Sequence, residues 1–205
     1  MLPHEIEEKS FEIIDEEAGS HGFSPDEWKI VRRMIHTSAD FEYIDMVRIH
    51  PKAIEAGVKA IQSGRAIVTD TNMARVGIRK DNLAPFGCTV SCLMTDPEVG
   101  KEAKEKGLTR AHVAAEKGAA MVENGIYAVG NAPTALLHLL DLIESGAAKP
   151  ALVVGLPVGF VNAAESKEAL IKTDTPYISN LSRKGGSNVA VSVINALALI
   201  ARERT

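Results

Sequence analysis

Ile126-Tyr127-Ala128-Val129-Gly130-Asn131-Ala132-Pro133-Thr134-Ala135-Leu136 contains both halves of an α/β unit. The first four residues are apolar, a run short enough for a strand covered on both faces. Gly130-Asn131 then punctuates the chain, and Pro133 suits the first position of a helix that the pattern carries to Ser145. The same succession recurs along the sequence. Strands are expected at Ala66–Thr69, Thr89–Leu93, Leu152–Leu156 and Tyr177–Ile178. Helices are expected at Lys52–Ser63, Pro97–Glu105, Arg110–Asn124, Ala163–Thr173 and Ser187–Arg202. Val-rich strands alternating with helices predict an α/β fold, a three-layer α/β/α arrangement with a mostly parallel central sheet. No repeat, low-complexity stretch or linker interrupts the pattern, so residues 1–205 read as a single domain.

Composition fits that reading. The apolar share is 45% and the charged share 24%, values of an ordinary globular domain. With 23 basic against 27 acidic residues the net charge is −4, which argues against a nucleic-acid partner. It does not argue against an anionic ligand. Seven of the acidic residues and one basic residue fall in the first 20, a local balance of −6 that leaves +2 for the rest. The two cysteines, Cys88 and Cys92, lie in the expected Thr89 strand region. Four residues apart on a strand, they would be about 13 Å apart and able neither to bridge nor to share a metal, so they read as buried structural thiols. The N-terminus lacks the regions of a signal peptide, and no run approaches a membrane span. A soluble cytoplasmic protein with no membrane partner is expected.

Two helices precede the α/β alternation. The first, Pro3–Ala18, is acidic and places Ile6, Ile13 and Ile14 along one face, with Ser10 inside the stripe. Spacing alone favours a serine bonded back to its own backbone. The second helix has Ser24 as N-cap, Pro25 at the first position and Glu27 completing a capping box. Its apolar face runs through Trp28, Val31 and Ile35. At 100° per residue His36 falls about 80° from Trp28, at the edge of that face. By spacing alone His36 reads as a partner of the helix C-terminal dipole rather than a site residue.

In a parallel sheet, ligands bind beyond the strand C-termini, where following helices begin. Three loops qualify: Gly130–Thr134, Gly155–Asn162 and Arg183–Ser187. Their glycines and helix starts suit anions, and Arg110 at another helix start adds a guanidinium fitted to a carboxylate. No dinucleotide, P-loop, GxSxG or HExxH motif occurs. The spacing of His4, His21, His50, His112 and His138 gives no expectation of a metal site. Asp70-Thr71-Asn72 is a polar strand end without a specific signal.

Three strings then carry a resemblance: Gly130–Leu136, the run Gly155–Lys167, and Arg183-Lys184-Gly185-Gly186-Ser187. Together with Lys9-Ser10-Phe11, Arg33-Met34-Ile35-His36 and Thr109-Arg110, they resemble the precorrin-8X methylmutase family in matching order over nearly the whole chain. The resemblance implies a homodimeric, cofactor-free isomerase of corrin biosynthesis. It would move a methyl group between neighbouring ring carbons of a tetrapyrrole, precorrin-8X or cobalt-precorrin-8. His36 matches the catalytic histidine, expected to protonate or hydrogen-bond a ring nitrogen beside the migrating methyl; such acid help is typically worth about 10²–10⁴-fold. Ser10 and Arg110 match substrate-site positions, and the resemblance reverses the structural readings of Ser10 and His36. Asn131 and Thr134, Gly159 and Asn162, and Lys184, Gly186 and Ser187 are the loop residues expected to hold the substrate's carboxylates. Lys9 stands where many relatives have Arg, and Ser182 where Gly is common.

Two other classes compete. A tetrapyrrole carrier would bind the product without turning it over. A nucleotide-dependent dehydrogenase is suggested by sheet type alone and lacks its fingerprint.

Overall fold

The computed structural model describes residues 2–205. Its six-stranded sheet has the order β1-β6-β5-β4-β2-β3. The strands are β1 (Val47–Ile49), β2 (Ile67–Thr69), β3 (Val90–Ser91), β4 (Ile126–Val129), β5 (Leu152–Gly155) and β6 (Tyr177–Asn180). All neighbours run parallel except β1, which pairs antiparallel with β6 through Val47–Asn180 and Ile49–Ile178.

The main helices are α1 (Pro3–Ala18), α2 (Pro25–Ser38), α4 (Ala53–Gln62), α7 (Pro97–Lys106), α8 (Arg110–Met121), α9 (Pro133–Glu144), α10 (Ala163–Ile171) and α11 (Ser187–Glu203). Short helices α3 (Tyr43–Met46), α5 (Asn72–Gly77) and α6 (Lys80–Leu83) fill the gaps. Alternate strand residues serve opposite faces. Ile67, Ile126, Ala128, Leu152, Val154 and Ile178 pack with α2, α4 and α11. Val68, Tyr127, Val129 and Val153 pack with α8, α9 and α10. This is the three-layer α/β/α architecture expected from the sequence.

The N-terminal helices are positioned by paired signals. Ser24 accepts from the Glu27 N–H while Glu27 accepts from the Ser24 N–H at 2.8 Å, so the capping box starts α2 as expected. Helix α2 runs antiparallel to α11. Lys29 and Asp26 meet Glu203 and Arg204 at one end, and Asn188 reaches the Thr37 carbonyl at the other. The last turn of α2 therefore lies at the same edge as the start of α11, beyond the strand C-termini.

Several expectations need correction. Strand β1 and the three short helices were not read from the sequence. Strand β3 has shrunk to two residues because it is an edge with β2 as its one partner. Cys88 and Cys92 therefore lie outside it, half-buried and free, with Cys88 Sγ 3.2 Å from the Ile61 carbonyl. In α1, Ile14 is buried but Ile6 and Ile13 remain exposed, so only part of the stripe is covered.

Candidate functional site

Strand β2 sends its chain toward β3, whereas β4 sends its chain the other way toward β5. Their C-terminal ends thus frame the switch-point crevice where parallel sheets usually hold a ligand. Here the chain fills that crevice itself. The Asp70 carboxylate accepts N–H groups from Gly130 at 2.9 Å and from Asn131 and Ala132 at 2.8 Å. Burial raises its pKa above the ordinary carboxylate value, opposed by those three donors. Beside it, the Thr71 and Ser187 hydroxyls are 2.7 Å apart. Gly130 is required at this point: a Cβ there would lie 2.6 Å from Ser187 Cα. The Gly130–Thr134 loop, expected to collect a ligand anion, has its leading N–H groups committed to Asp70.

The neighbouring helix starts are not capped in this way. Helix α11 begins after Gly186, whose φ of 135° favours glycine. Helix α10 begins after Asn162, in a left-handed conformation. Among the described residues, the first N–H groups of these helices meet no acceptor. The two loops leading to them are joined, since the Gly159 N–H donates to the Arg183 carbonyl at 3.2 Å. Buried Lys167 braces the second loop. Its ammonium donates to the Lys184 carbonyl at 2.6 Å and to Asn180 Oδ1 at 3.1 Å, and burial pulls its pKa down to about 8. Ser182 contributes too, its hydroxyl accepting from the Lys184 N–H and Asn180 Nδ2.

His36, in the last turn of α2, separates two adjoining cavities. One, of about 480 Å³, is lined by Ser10, Ile13, Ile14, Glu17, Ile35 and Phe41. The other, of about 220 Å³, is polar, with Glu7, Arg33, Arg79, Asn188 and Asn195. The His36 ring is exposed and rests 5.2 Å from the Phe11 ring. A larger hollow of about 680 Å³ lies between the ends of α9 and α10. Those helix ends lead into β5 and β6, so it opens at the opposite edge of the sheet, and Asp141, Glu144 and Asp174 make it acidic.

The structure brings some of the expected residues together and keeps others apart. Ser10 and His36 share a cavity, although Ser10 Oγ also donates to the Ile6 carbonyl at 2.7 Å as spacing alone predicted. Lys184 approaches the end of α2, but its ammonium is held by Asp40 at 2.6 Å and Glu42 at 2.9 Å. Those hydrogen bonds, to Asp40 first, raise its pKa. Gly186 and Ser187 are buried beside Gly130, whereas Asn131, Thr134 and Asn162 are exposed on the rim. Arg110 starts α8, at the same edge because α8 leads down into β4, yet it lines neither His36 cavity. Its guanidinium packs against Gly100, where a Cβ would meet it at 2.7 Å.

Sequence reasoning missed the role of Asp70, which depends on β2 and β4 being neighbours. It also missed Arg79 and Asn188, whose positions in the cleft arise from the packing of α2, α6 and α11. His112, Glu116 and His138 come together as well, a grouping split between α8 and α9. No described helix is long and apolar enough to cross a membrane.

Fold and cleft together describe a doubly wound α/β protein whose sheet crevice is closed and whose cavities lie in the helix layer beside it. A family model described as precorrin-8X methylmutase matches residues 5–200. The cobalt-precorrin-8 methylmutase of Priestia megaterium is 49% identical over 201 residues, covering 98% of this chain and 89% of that protein. Its counterpart in Leptospira interrogans is 45% identical, covering 99% and 96%. A crystal structure of precorrin-8x methyl mutase from Thermus thermophilus matches with a TM-score of 0.89 at 46% identity, covering 97% of this chain and 98% of that one. The chain belongs to the precorrin-8X methylmutase family, isomerases of cobalamin biosynthesis.

Proposed function

We propose that this chain moves a methyl group between neighbouring ring carbons of precorrin-8X or cobalt-precorrin-8, with His36 as the acid. The observation that carries the reading is the placement of His36 between a mostly apolar cavity, with Glu17 at its edge, and a polar cleft holding Arg79 and the Arg33–Glu7 pair. A tetrapyrrole has a flat apolar body and carboxylate arms, and these two environments suit its two parts. The methyl leaves one carbon and joins the next within the same molecule, so no atom enters or departs and no cofactor is needed. His36 donates a proton or hydrogen bond to a ring nitrogen, drawing electron density from the migrating group, and takes the proton back once the methyl has moved, while the cavity walls hold the ring in position. Ser10 and Arg110 contribute substrate contacts, and the uncapped starts of α10 and α11 receive carboxylates through backbone N–H groups.

The reading includes a homodimer acting in the cytoplasm, with the substrate near the subunit interface. Val158, Phe160 and Val161 form an apolar projection from the α10 loop, Phe160 being 85% exposed with Arg183 over its ring at 5.8 Å. Such a projection beside the Arg183 loop suits burial against a second copy.

Single-turnover absorbance measurements with precorrin-8X and with cobalt-precorrin-8 test the proposal. Wild type is expected to convert at least one of them. His36→Ala is expected to bind tetrapyrrole while losing about 10²–10⁴-fold in rate. Normal turnover by that variant would remove the acid role. Tight binding without conversion by wild type would favour a carrier of the corrin product instead.

A further inference from the structure

We infer that His112, Glu116 and His138 form a binding site for a divalent transition-metal ion of the zinc type, clamping α8 to α9. The inference stands apart from the methyl transfer and from the cleft at His36. His112 and Glu116 are one helical turn apart on α8 and so project from one face. His138 meets them from α9. Each residue offers a ligand atom, and these atoms lie within 4.8 Å of one another. The two imidazoles stack with centroids 3.6 Å apart and planes 23° from parallel.

The polar bookkeeping at this place is incomplete. His138 Nε2 is buried and has no hydrogen-bond partner among the described residues. A buried nitrogen of this kind ordinarily finds a donor or acceptor, and leaving it without one is unfavourable. Glu116 is exposed and forms no ion pair among the described residues. A metal ion would take up the free imidazole nitrogens and the carboxylate together. Tetrahedral zinc bonds of about 2.0–2.2 Å place ligand atoms roughly 3.3–3.6 Å apart. Modest rotation of the two rings out of their stack, and of the Glu116 side chain, closes the remaining distance. Two imidazoles and one carboxylate select zinc, nickel or cobalt(II) over magnesium or calcium, and three protein ligands leave a fourth position for water.

Neither ring has another assignment in the fold. His112 lies in the first turn of α8, where the Thr109 hydroxyl caps its backbone N–H at 3.2 Å. His138 lies one turn beyond Thr134 on α9. The bound ion would therefore join two helices of one layer near the rim of the sheet, stiffening the layer without entering the reaction.

Calorimetric titration of the full-length, tag-free protein with zinc chloride tests the inference, with magnesium chloride as the contrasting ion. Wild type is expected to bind one zinc per chain and no magnesium, and to melt at higher temperature when zinc is present. His112→Ala and His138→Ala are each expected to weaken zinc binding at least tenfold and to abolish the thermal shift. Glu116→Gln changes an exposed side chain outside the core and is expected to weaken binding severalfold, so it decides the matter if a histidine variant fails to fold. His4→Ala is expected to bind as wild type does. Absence of zinc binding by wild type, or affinity unchanged in Glu116→Gln and in whichever histidine variants fold, would overturn the site.

Discussion

Lys184 Nζ lies 2.6 Å from Asp40 Oδ2, tying the loop before α11 to the segment that ends α2. Asp40 lies four residues beyond His36, so the pair holds the loop before α11 beside the end of the helix that carries His36. An exposed ion pair of this kind adds little to stability, so its value lies in position. Lys184→Met is expected to raise KM for the tetrapyrrole about threefold or more while kcat and melting temperature change little. Steady-state kinetics beside a melting curve check this, and an unchanged KM would deny the loop its positioning role.

The carboxylate of Asp70 carries more stability. Asp70→Ala leaves the N–H groups of Gly130, Asn131 and Ala132 without their acceptor in a buried crevice. A loss of roughly 3 kcal/mol is expected, lowering the melting point by about 6–12 °C for a domain of this size. Asp70→Asn is expected to lose most of this as well, because its amide places a donor where an acceptor is needed. Calorimetric melting at neutral pH measures both, and wild-type melting of the alanine variant would disprove the account.

Lys167 gives the fold a pH signature in the alkaline range. Burial lowers its pKa from 10.5 to about 8, so between those values the unfolded chain holds a proton that the folded chain has released. Stability from this group therefore rises as pH increases from about 8 to 10.5, and is lost as pH falls through the folded value. Urea unfolding of wild type and Lys167→Met across that interval should show the slope in wild type and its absence in the variant. Parallel pH profiles would contradict the assignment.

Phe160 tests the proposed assembly. Phe160→Asp is expected to shift the protein from dimer to monomer in sedimentation, with the secondary structure seen by circular dichroism retained. A dimer of wild-type strength in the variant would place the interface elsewhere.

Much of the frame was legible in the sequence because it rests on local patterns. Strand β4, the start of α9 and the capping box of α2 each declare themselves within a few residues. Strand β1 did not: three residues with exposed Arg48 at the centre show no usable period, and the strand exists because β6 offers it an edge. The β-branched run around Val90 was overread for the converse reason, since a strand with one neighbour pairs over a shorter length. The site divides in the same way. His36 and Ser10 were singled out through motif resemblance, but the cavity they share depends on α1 lying against α2. Asp70 and its three donors are 60 to 62 residues apart in the chain, and no local signal reports such a meeting.

Closure of the switch-point crevice by Asp70 separates two burdens that one surface often carries. The anion there is part of the chain, so the sheet and its loops form a finished frame with or without a ligand. The mouth around His36 is built differently, its α1 wall held by polar contacts such as Arg33 to Glu7 and Trp28 to Asp15. Its buried Ile14 and half-buried Phe11 tie that wall to the core, while Ile6 and Ile13 stay exposed. The ligand mouth therefore depends on the α1–α2 seam, whereas the crevice depends on the meeting of β2 with β4.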